Sequence, residues 1–205
     1  MKRFISIVSA ILLLSAAVFA ADYYDEDEDY DDGLVYEQNG EGDQFIKIDL
    51  AANIPLNFGS QLYVGGLASI GYYQFLNQYF AIGGDVLISY NLSIGKKPLF
   101  QVPVSFGVMF QPYAGKFEFP FMLNVGIATI SSNSLTYFPA LTAKFTGGAY
   151  YRFSESWSVG ISSTTFYIPQ LFLFGNIASK PNTTQGHKAD HGLFTSAGVS
   201  VRYHF

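Results

Sequence analysis

Between residues 44 and 205 charge is scarce, with nine Lys or Arg against five Asp or Glu and a net charge of +4 with His neutral. Lys47, Asp49, Asp85, Glu118, Lys144, Arg152 and Arg202 stand singly within stretches of apolar and small residues. Isolated charges in such surroundings can brace an interior as ion pairs, line a narrow conduction path or hold a substrate. Taken out of water, each needs a partner. His187 and His191, with Asp190 between them, have the i,i+4 spacing of two metal ligands on one helix face. Gly, Pro and Asn crowd that segment and argue against a helix, so no metal is expected. GxSxG, HExxH and phosphate-loop patterns are absent, and no acid–base constellation stands out; neither catalysis nor a cofactor is expected. The basic residues are dispersed and form no stripe for a nucleic acid. The chain has no Cys.

The remaining acids are concentrated ahead of this region. Residues 22–43 hold eleven of the chain's sixteen acids and no Lys or Arg, and eight of them fall between Asp22 and Asp32. Such a block repels itself and is expected to be a disordered arm, residues 21–43. Before it, Lys2 and Arg3 lead an apolar run, residues 4–14, and Val18-Phe19-Ala20 provides a small residue for cleavage. This pattern predicts a secretory signal peptide over residues 1–20.

Elements that could position the isolated charges follow from the period of the sequence. Phe80, Ile82, Val86, Ile88, Tyr90 and Leu92 alternate with Ala81, Gly83, Asp85, Leu87, Ser89 and Asn91. Period two is the strand period. The same alternation recurs over 45–54, 64–76, 99–111, 117–129, 141–153, 157–167 and 193–205, giving eight segments with 79–92. Each is long enough to cross a bilayer as a strand, for which about 9–11 residues suffice. One face of each carries large apolar residues and the other is polar but small. Aromatic residues recur near the strand ends, as in an interfacial girdle. An open sheet edge in hydrocarbon would leave backbone groups unsatisfied, so the sheet must close. The expected fold is all-β, an eight-stranded antiparallel transmembrane β-barrel over residues 44–205.

Alternation of the connections gives the barrel two unlike ends. Asn77-Gln78, 112–116 and 154–156 are short, whereas 55–63, 93–98, 130–139 and 168–192 are longer and expected to be extracellular. The last begins with the apolar Leu171, Phe172, Leu173 and Phe174 and ends in polar sequence containing His187 and His191. All seven isolated charges fall on the inward faces, as ion pairs or a pore lining. Asp49 with Arg202, on strands that closure makes neighbours, and Glu118 with Arg152 are the expected pairs.

The alternating segments and the terminal Val199, Val201, Tyr203 and Phe205 resemble the small outer-membrane barrels of diderm bacteria. Among named groups the chain resembles the OmpW-type and OmpA-type barrels and small barrels of spirochaetes. The resemblance implies an integral outer-membrane protein, monomeric, with the arm in the periplasm. It makes Val201, Tyr203 and Phe205 a signal for the barrel-assembly machinery and lipid the principal partner. A narrow channel for small or hydrophobic solutes is the functional expectation. The alternative is a structural or surface-interaction, adhesin-like barrel with a closed, ion-paired interior that meets extracellular ligands through its loops.

Overall fold

The computed structural model describes residues 38–57, 62–132, 135–169 and 191–205. Its strands are β1 (Gln44–Pro55), β2 (Gly65–Phe75), β3 (Phe80–Leu92), β4 (Pro98–Phe110), the short β5 (Tyr113–Ala114) and β6 (Phe117–Glu118), β7 (Phe121–Ser132), β8 (Leu135–Arg152), β9 (Trp157–Ile168) and β10 (Gly192–His204). Setting aside β5 and β6, eight strands form the wall, each antiparallel to its neighbours. Closure is made by β1 against β10, in register from Phe45↔His204 to Pro55↔Phe194. The fold is a closed eight-stranded antiparallel barrel, and every wall strand is hydrogen-bonded on both sides as hydrocarbon requires.

Large apolar side chains face outward along the wall. Phe106, Val125 and Ile161 are more than three-fifths exposed, while Lys47, Asp49, Asp85, Lys144 and Arg202 point inward and are buried. In water this distribution would be inverted; in a bilayer the apolar face meets lipid. Phe80–Phe110, Phe117–Tyr151 and Trp157–Tyr203 place ring pairs 5.2, 5.3 and 4.9 Å apart around the end of the barrel that carries the short turns. Tyr90–Phe100 lies towards the other end. Among the described residues no helix is long and apolar enough to cross a membrane.

Two stretches depart from the expected strands. The segment 130–139 was expected as a loop, but β7 and β8 continue through it with Ile130↔Tyr137 and Ser131↔Thr136 paired. Its Ser/Asn cluster reads as a loop, yet Leu135-Thr136-Tyr137-Phe138 favours a strand once a partner is adjacent. The register shift between Ala128 and Ile130 absorbs Pro139, which has no N–H for the ladder. The expected strand from 117 is interrupted at Phe119-Pro120. Tyr113–Ala114 and Phe117–Glu118 instead form a small hairpin at the turn end, with Gly115 at φ 56°.

The candidate site in the barrel interior

Small residues on the inward faces leave room for the larger ones, and the filling differs along the axis. In the middle, Lys47 and Asp49 lie two residues apart on one strand face and form an ion pair at 3.0 Å. Ser69 and Ser162, from the neighbouring strand β2 and from β9 beyond β10, donate to the Asp49 carboxylate at 2.5 and 3.2 Å. Lys144 pairs with Asp85, which also accepts from Ser105 at 2.7 Å and from Tyr73 at 3.4 Å. Asn124 donates to the Tyr73 hydroxyl at 2.8 Å. A Cβ at Gly83 would lie 2.1 Å from the Tyr72 carbonyl oxygen and 2.6 Å from the Tyr73 ring, so glycine there lets the paired strand and that ring approach closely.

Towards the long-loop end the lining becomes apolar. Leu67, Leu87, Ala128, Ala140, Phe166, Ile168 and Phe194 form one buried cluster, with Phe166 and Phe194 stacked at 5.1 Å. Asn53 and Asn91 cross this layer by a side-chain hydrogen bond of 2.8 Å, and Asn91 also donates to the Tyr63 carbonyl at 2.9 Å.

At the turn end two guanidinium groups converge on one carboxylate. Arg202 Nη1 lies 3.3 Å from Glu118 Oε2, and Arg152 Nη1 lies 3.6 Å from Glu118 Oε1. Arg202 Nη1 also donates to Gln111 at 2.8 Å. Its guanidinium sits 3.5 Å from the centre of the Tyr150 ring and 4.7 Å from that of Phe45. Ahead of β1, Asn39 is buried in this cluster. It accepts from Arg152 and donates to the Tyr113 hydroxyl, each at 2.7 Å. Burial pushes the Tyr113 phenol up to about 12.

The seven charges proposed as a lining thus occupy the interior, but one expected pair is corrected. Asp49 pairs with Lys47, and Arg202 with Glu118, rather than Asp49 with Arg202. The register explains the difference: Arg202 stands opposite Lys47, a like charge, and Asp49 stands opposite Ser200. Arg202 therefore extends towards the turn end. The Glu118–Arg152 approach matches its expectation. Val201, Tyr203 and Phe205 lie on the lipid face. His191 is exposed and its ring packs near Tyr167 at 5.7 Å. Leu171, Phe172, Leu173, Phe174 and His187 lie outside the described residues, as do the signal segment and residues 21–37 of the arm. Among the described residues no group of three His, Asp, Glu or Cys is placed to hold a metal ion.

Sequence reasoning did not single out Asn39, Gln111, Tyr113, Tyr73, Tyr150 or Asn124. Tyr150 and Asn124 carry a signal, since each falls on the small, polar face of an alternating strand. Asn39 carries none, because it precedes the first strand and its partners are remote in sequence.

A Treponema family model matches residues 25–203. An uncharacterized protein of Treponema pallidum (strain Nichols) is 28% identical over 196 residues, covering 84% of this chain and 81% of that protein. A second uncharacterized protein from the same strain is 24% identical over 176 residues; the match covers 81% of this chain and 56% of that relative's length. Among solved structures, Neisserial surface protein A aligns with a TM-score of 0.59 at 10% identity, covering 80% of this chain and 99% of that one. The outer membrane protein OprG from Pseudomonas aeruginosa aligns with a TM-score of 0.51 at 11% identity, covering 83% and 99%. At these identities the likeness is one of fold, and both neighbours are outer-membrane barrels.

Proposed function

Since this chain belongs to the Treponema family whose model spans residues 25–203, and its fold is that of an outer-membrane barrel, we propose that it acts as a closed barrel that presents its loop end to extracellular ligands. One observation carries the reading. Phe45, Asp49, Asp85, Lys144, Arg202, Phe166 and Phe194, spread from one end of the interior to the other, are each at most 5% exposed. An interior of eight strands is just wide enough for side chains to fill it, and here ion pairs and an apolar layer fill it in series. Through-passage of ions would require breaking buried pairs at two depths. In this reading lipid surrounds the barrel, the arm lies in the periplasm, and Val201, Tyr203 and Phe205 serve recognition by the assembly machinery.

Uptake of small hydrophobic solutes is the second reading, favoured by the apolar lining at the loop end. Single-channel recording in a planar bilayer separates the two, with folding verified by heat-modified electrophoretic mobility. A closed barrel gives no reproducible openings. Regular small openings would overturn the closed reading, and openings that apolar compounds fail to block would count against uptake.

A further inference from the structure

The middle of the interior balances its charges one to one, Lys47 with Asp49 and Lys144 with Asp85. The turn end does not. Glu118 is shared between Arg152 and Arg202, and a guanidinium cannot discharge itself by losing a proton. Arg202 is fully buried, and its Nε and Nη2 have no hydrogen-bond partner among the described residues. These two atoms form one edge of the guanidinium, the fork that takes a carboxylate or phosphate in two parallel hydrogen bonds. Arg152 Nε is likewise unpartnered.

The stretch 38–43 runs as a strap at the turn end, from Phe75 at the end of β2 to Arg152 at the end of β8. It is tied at one end by Gly42 N–H to the Phe75 carbonyl at 2.9 Å and Phe75 N–H to the Asp43 carbonyl at 2.8 Å. At the other end Asn39 inserts its amide, and the amide oxygen accepts from Arg152 where a carboxylate or phosphate oxygen would make a stronger, charge-assisted bond. Asn39 thus contributes a neutral acceptor to a buried guanidinium, while the strap's own acids, Glu41 and Asp43, stay exposed.

We propose that the turn end is a mouth for an anionic oxygen ligand, a carboxylate or phosphate, with Arg152 and Arg202 as its receptors and the 38–43 strap as the closure whose Asn39 amide stands in the ligand's place. Arg202 is wholly buried against the Tyr150 and Phe45 rings, so its fork is reached only when the packing at the turn end, the strap included, opens. The ligand comes from the turn side, either as a free anion or as a carboxylate of the acidic stretch Asp22–Asp32. The proposal is independent of what the loop end binds.

Thermal unfolding of the folded full chain in detergent tests this, with inorganic phosphate titrated against chloride at constant ionic strength. In Asn39→Ala, phosphate raises the midpoint saturably, with half-saturation about tenfold lower than in the unaltered chain because the competent state is no longer held shut. Adding Arg152→Gln abolishes that rise. Asn39→Asp, which places a carboxylate in the mouth, lies about 4 °C above the unaltered chain without phosphate, the size expected of one charge-assisted bond. No phosphate-dependent rise in Asn39→Ala, or a rise unchanged by Arg152→Gln, overturns the proposal. Should Asn39→Ala fail to fold, Asn39→Asp decides: a midpoint no higher than the unaltered chain overturns it. Deleting 22–32 from Asn39→Ala distinguishes the sources. A larger phosphate response identifies the chain's own carboxylates as competitors for the mouth, and an unchanged one identifies a free anion as the ligand.

Discussion

The loop-end half of the interior is filled by Leu67, Leu87, Phe166, Ile168 and Phe194, and the middle and turn end by Lys47, Asp49, Asp85, Lys144, Glu118 and Arg202. Both fillings close the same eight-stranded wall, and they fail differently. An apolar layer that loses a side chain loses packing and gains a cavity. A polar layer that loses one partner leaves the other as an uncompensated buried charge. The charged half therefore depends on complete pairing, while the apolar half depends on volume. That contrast also distinguishes the turn end from the middle, since among the described residues it is there that two cations share one anion.

The contrast is most sharply tested by Asp85→Ala, which strands Lys144 and removes the acceptor for Ser105 and Tyr73. A loss of about 3–5 kcal/mol is expected, measured by reversible unfolding from lipid vesicles. Replacing both partners, Asp85→Leu with Lys144→Met, should recover most of it, because two apolar groups leave no charge behind. If the pair replacement is as damaging as the single one, pairing is not what governs this layer.

Phe194→Ala at the loop end should cost about 3 kcal/mol, the lower part of the range for a buried ring. Phe194→Leu should restore most of the loss, and the effect should be insensitive to salt. A strong salt dependence would mean that the two halves are coupled rather than separate fillings.

The smallest effect concerns which charges meet. A double-mutant cycle on Lys47 and Asp49 should give a coupling of about 1–2 kcal/mol, and the cycle on Asp49 and Arg202 should give much less. Equal couplings would restore the Asp49–Arg202 pair suggested by strand adjacency and contradict the observed Lys47–Asp49 and Glu118–Arg202 pairing.

Much of the wall was legible without coordinates. The alternation of Phe80, Ile82, Val86, Ile88 and Tyr90 with Ala81, Gly83, Asp85, Leu87 and Ser89 locates β3 to within a residue. It also assigns Asp85 to the interior. The hairpin between β7 and β8 was not legible, because Ser131, Ser132 and Asn133 carry turn chemistry and only pairing with Thr136 and Leu135 makes strand of the first two. The interruption at Phe119-Pro120 was hidden for the opposite reason: the outward Phe117, Phe119 and Phe121 keep period two straight through it.

By itself the sequence determined that this protein is a barrel with a lipid face and a sparsely charged interior. Period two and side-chain size are local properties, and closure follows from the bilayer's intolerance of unpaired backbone. The tertiary structure alone decided which charges meet. Asp85 and Lys144 are 59 residues apart, Glu118 and Arg202 are 84 apart, and Asn39 and Arg152 are 113 apart. Across a lumen the meeting of two side chains depends on the stagger of every strand between them and on the direction each chain extends. Alternation fixes the face a residue occupies but not its height relative to a residue on a distant strand. The placement of Asn39 against Arg152, on which the proposed anion mouth rests, is of that second kind.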